Sequence, residues 1–63
     1  MIFVKTPIDS NIGVDLKNQW LCQQGLVHDL DWWWNFCDGH TKHLHGFNDE
    51  HEQIAALFVL TWS

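Results

Sequence analysis

Residues 37–45 read CDGHTKHLH and set Cys37, His40, His43 and His45 within nine residues, with His51 six positions further on. Thiolate and imidazole are the usual ligands of structural zinc, which needs four in a tetrahedron. A metal would also hold together a fold too small to do so by burial alone. The spacing C-x2-H-x2-H-x-H matches no standard finger, because finger ligands come as two pairs from two separate elements. Cys37 with His40 could form a nucleophile and base, but no oxyanion donor or cleft is evident beside them. Asp29 with Asp31, and Asp49 and Glu50 with Glu52, are the paired carboxylates. Acids crowded ahead of an apolar run read more simply as the first turn of a helix than as an acid/base couple. The primary expectation is therefore a non-enzyme with no cofactor. The alternative is a zinc-stabilised module on Cys37, His40, His43 and either His45 or His51.

The elements that would carry these residues are read from periodicity. Leu16, Trp20, Gln23, Val27, Leu30, Trp34 and Cys37 recur in alternating steps of four and three, a helical seam. Leu26 and Trp33 widen it. The spacing predicts one long helix over about 15–38, with Asp15 as N-cap and Gly39 as the stop. Gly25 is its weak point and a place where it could break. Residues 40–48 read as a loop. A second helix, capped by Asn48 or Asp49, is expected over about 49–61, apolar nearly all round past residue 53, with a strand at 57–62 as the competing reading. Residues 1–8 read as a short extended arm with nothing obvious to pair with. The expected class is all-α: a helical hairpin in a single domain, residues 1–63, completed by homodimerisation.

The tryptophans drive that last step. Trp32, Trp33 and Trp34 are consecutive, and on a helix they sweep about 200° of arc. On a strand, Trp32 and Trp34 would face one way and Trp33 the other. Either way at least one leaves the hairpin's own core. Trp20, Trp33, Trp34, Phe58 and Trp62 are expected to form the core and self-association surface. Asp31, Trp32 and Phe36 are expected to face a partner protein. A compact monomer that buries all five Trp is the plainer alternative.

Composition bounds the rest. The net charge is −5, with three lysines and no arginine, so the clustered cations that nucleic acid or anionic membranes demand are missing. Carboxylates spaced for nucleic-acid mimicry are interrupted by apolar residues. The longest apolar run, IAALFVL, is far short of the ~20 residues of a membrane span. Two cysteines and no leader predict a cytoplasmic chain with free thiols. Histidine's unperturbed pKa of about 6.5 predicts a change in association between pH 7 and 5.

In DWWWNFCDGH and IAALFVLTW, within a short acidic chain, the sequence resembles the small accessory proteins of the early regions of lambdoid temperate phages. The resemblance implies a regulatory or accessory role exercised by binding a host protein.

Overall fold

The computed structural model describes residues 1–9 and 13–63. The chain runs β1 (Ile2–Pro7), α1 (Val14–Gln23), β2 (Trp32–Cys37), β3 (Lys42–Phe47), a 3₁₀ turn (Asp49–His51) and α2 (Glu52–Trp62). The strands form one antiparallel sheet in the order β1-β3-β2. Strands β1 and β2 therefore run parallel to each other with β3 between them, and α1 makes the crossover. Both helices pack on one side, where Leu21, Leu26, Trp32, Phe47, Ala55 and Phe58 form the buried core.

This is an α+β fold, and it corrects the all-α helical hairpin. The long helix expected over 15–38 ends at residue 23. Gly25 adopts φ +84°; its N–H bonds to the Cys22 carbonyl, and the Leu26 N–H reaches back to the Leu21 carbonyl. That pair of bonds around a left-handed glycine is a Schellman stop, and Leu21 and Leu26 bury together beneath it. The seam that continued past this point was an accident of spacing: Val27 and Leu30 lie exposed in the turn that follows. Gly13, not Asp15, occupies the N-cap position, and Asp15 lies in the first turn.

The second large correction is residues 40–48. The expected loop supplies β3, the central strand. Its register pairs Phe47 with Ile2 and Trp32, His45 with Val4 and Trp34, and His43 with Thr6 and Phe36. Side chains alternate along a strand, so His43, His45 and Phe47 face the helices while Leu44 and Gly46 face away. Two of the three inward positions are thus histidines and the outward face carries Leu44, which departs from the apolar-in, polar-out alternation of the usual half-buried strand. The extended N-terminal arm forms as expected and gains β3 as its partner. The C-terminal helix also forms, and its regular turns begin three residues later than expected. Asn48 stays extended and caps nothing with its side chain; its amide instead donates to the Leu30 carbonyl at 2.9 Å. No helix among the described residues is long and apolar enough to cross a membrane.

Candidate interaction surface

The side of the sheet facing the helices holds a polar cluster. Lys17 of α1 is 1% exposed. Its ammonium donates to Thr6 Oγ1 and the Pro7 carbonyl, and it meets His43 Nδ1, each at 2.9 Å. An ammonium has three donors and no acceptor. All three are committed here, and His43 Nδ1 must accept, which leaves that ring neutral with its proton on Nε2. Desolvation lowers the Lys17 pKa against the opposing charge of Asp9. His43 is lowered by desolvation and then by the Lys17 charge. His45, fully buried, donates from Nε2 to Asn18 Oδ1 at 3.0 Å. Burial, with the charges of His43, Lys17 and His28 behind it, pushes its pKa down to about 3. The His45 ring packs on Phe58 at 4.5 Å and on Trp32 at 6.0 Å. This cluster is sealed inside the protein and organises the core.

The expected zinc ligands do not converge. Cys37 lies on the opposite face of the sheet from His43 and His45. His40 sits in the 38–41 turn with φ +64°. His51 lies in the 3₁₀ turn, near the opposite end of β3 from that hairpin turn, and bonds to Asp31 Oδ1 through Nε2 at 3.1 Å.

The expected partner-facing residues separate as well. Trp32 is 1% exposed, and its indole N–H has no partner among the described residues; it is a core residue, not a surface anchor. Phe36 is 43% exposed. Asp31 is half-buried, accepting the Val27 N–H at 2.8 Å as well as meeting His51. The backbone hydrogen bond and His51 together hold its carboxyl below the usual range. Of the five residues assigned to core and self-association, Phe58 is fully buried, and Trp20, Trp34 and Trp62 pack against the core from its rim. Trp33 stands apart from them.

Trp33 is on the other face of the sheet, and no helix covers it. The pleat sends Phe3 of β1, Trp33 and Asn35 of β2, and Leu44 and Gly46 of β3 outward, where they line a groove of about 200 Å³. Gly46 is paired with Phe3 on one side and Trp33 on the other. A Cβ there would meet the Phe3 ring at 3.1 Å and Met1 Sδ at 3.2 Å. Glycine thus lets Phe3 and Met1 approach the central strand closely. Phe3 is 63% exposed and Met1 58%. Lys5 and Lys42, two of the three lysines, belong to the same face at its far end, with Lys5 paired to Asp38 at 3.2 Å. The sequence carried one signal of this surface: the alternation a strand imposes on three consecutive tryptophans.

No known protein family matches the chain, and no curated protein or solved structure is similar to it.

Proposed function

We propose that this chain is a non-enzymatic protein-interaction module whose working surface is the uncovered face of its sheet. The observation that carries this reading is the pair Phe3 and Trp33 flanking Gly46 on the side no helix covers. Phe3 is exposed and Trp33 is half-buried beside it, and stiff aromatics on an uncovered face are the residues from which interface hot spots are built.

The first partner is a second copy of the chain. The apolar residues gather at the Gly46 end and the two lysines at the other, so a two-fold axis through Gly46 stacks aromatic on aromatic and keeps the lysines apart. Three strands about 4.8 Å apart and about 20 Å long give a face of roughly 300 Å². A standard interface covers about 800 Å² per partner, so self-association through the sheet alone is weak and reversible. A different protein, for which the likeness to phage accessory proteins suggests a host protein, would use the same face and displace the second copy. A reducing cytoplasm suits the two unpaired cysteines.

Sedimentation equilibrium over a wide concentration range tests this, with amide and indole chemical shifts followed on dilution. The expected result is a concentration-dependent dimer whose shifts map to Phe3, Trp33 and Gly46, with Trp33→Ala monomeric and folded. A chain that stays monomeric with no dilution shifts, or a dimer indifferent to Trp33→Ala, would overturn the surface assigned here.

A further inference from the structure

We infer that Asp31, Glu50 and His51 form a binding site for a divalent transition metal of the zinc class, independent of the sheet face. The site joins two segments that sequence places far apart: the lead-in to β2 and the 3₁₀ turn before α2. His51 Nε2 lies 3.1 Å from Asp31 Oδ1 and 3.5 Å from Glu50 Oε1, and the three ligand atoms all lie within 4.8 Å of one another. Bonds of about 2.0–2.1 Å in a tetrahedron separate neighbouring ligands by about 3.3 Å. The two measured distances bracket that value. Glu50, whose side chain is 71% exposed, has the rotamer freedom to close the third.

The ring nitrogen is what distinguishes this group from a patch of surface acids. Nε2 faces carboxylate oxygens from two different segments, and a single N–H can point well at only one of them. A divalent cation at the same place serves all three atoms at once. Two carboxylates and an imidazole make a donor set of intermediate hardness, which favours zinc over magnesium. Asp31 is already oriented, because its other oxygen accepts the Val27 N–H at 2.8 Å. The charge is also unbalanced here. Lys5 is engaged with Asp38, Lys17 is sealed inside, Lys42 stands at the far end of β3, and the terminal ammonium of Met1 pairs with Asp49 at 2.7 Å. Among the described residues, no other three histidine, cysteine or acidic side chains converge in this way. A bound metal would staple the β2 lead-in to the start of α2, a form of support that chains of this size commonly use.

The test is isothermal titration calorimetry of zinc chloride, and separately magnesium chloride, into the full chain, repeated on Glu50→Gln, His51→Ala and the control His40→Ala. Cobalt(II) absorption reports the ligand set. The expected result is one zinc per chain, at least tenfold weaker in Glu50→Gln and in His51→Ala and unchanged in His40→Ala. Magnesium should bind far more weakly, and the cobalt spectrum should lack a thiolate charge-transfer band. Glu50→Gln alters an exposed side chain, so its loss of affinity is not a loss of fold; circular dichroism checks this. Absent zinc binding, binding that survives both variants, or a cobalt–thiolate band would each overturn the site.

Discussion

His45 sits at the centre of the molecule as a neutral imidazole, and that protonation state makes stability depend on pH. Unfolded, it titrates near 6.5; folded, its pKa is about 3. Between those values the unfolded chain binds a proton that the native chain refuses, so stability falls as the pH drops below about 6.5 and is complete above about 7. His43 acts in the same direction, because protonating it would turn Nδ1 from the acceptor of the Lys17 ammonium into a competing donor. Each histidine contributes a slope of up to about 1.4 kcal/mol per pH unit within its window. The urea midpoint should drop steeply from pH 7 to pH 5; a flat profile would mean that the inner face admits protons. The neighbouring tryptophans give a second prediction at this scale. Trp32→Ala empties a buried site and should cost about 3–5 kcal/mol, enough to unfold a domain this small. Trp33→Ala, one position on and on the opposite face, where the ring is only half-buried, should cost much less and leave the chain folded. Thermal melts of the two variants side by side decide whether the pleat assigns these rings correctly.

Helix α1 ends where it does because residue 25 is glycine. Its φ of +84° costs any L side chain about 1–2 kcal/mol, so Gly25→Ala should lower stability by about that much. The open surroundings, with nothing within 4 Å of a Cβ there, make this a backbone effect with no packing component. If Gly25→Ala proves neutral, the stop belongs to the Leu21–Leu26 contact instead. The same glycine shows how far the sequence could be read. It was visible as the weak point of a long helix, but the apolar spacing on either side matched a heptad, and periodicity alone cannot tell a continuous seam from two unrelated segments. Strand β3 was illegible for a different reason. Two of its three inward positions are His43 and His45, which read as polar until Lys17 and Asn18, more than twenty residues earlier, arrive to satisfy them. Helix α2 and the extended β1 were legible because local composition determines both. The alternation of Trp32, Trp33 and Trp34 followed from geometry once the segment was a strand. Phe36 and Asp31 gave no comparable clue, since their surroundings are set by β3 and the 3₁₀ turn.

At the scale of the whole molecule, the fold places both helices on one side of a three-stranded sheet and leaves the other side to solvent. A chain this short buries only about 60% of the surface its unfolded form exposes, so a one-sided sheet has little stability in reserve, and covering the second side adds to it directly. Of the sheet's two edge strands, β1 and β2, β2 offers a poor route to further strand pairing. The Asp29 N–H donates to the Trp32 carbonyl at 2.9 Å and the Phe36 N–H donates to Asn35 Oδ1 at 2.8 Å, so the edge is blunted at both ends and only its middle can pair with another strand. The sheet face is the larger opening. Under the proposed self-association, the face would bind native chains and not unfolded ones, and mass action would couple stability to concentration. The melting temperature of the wild-type chain should rise by several degrees over a roughly hundredfold increase in concentration, since each kcal/mol shifts a domain of this size by about 4–8 °C. Trp33→Ala should melt modestly below the wild type when dilute and show no rise when concentrated. That difference in concentration dependence separates a surface that binds from one that is merely exposed: a wild-type melting temperature independent of concentration would leave the sheet face with no second copy to cover it.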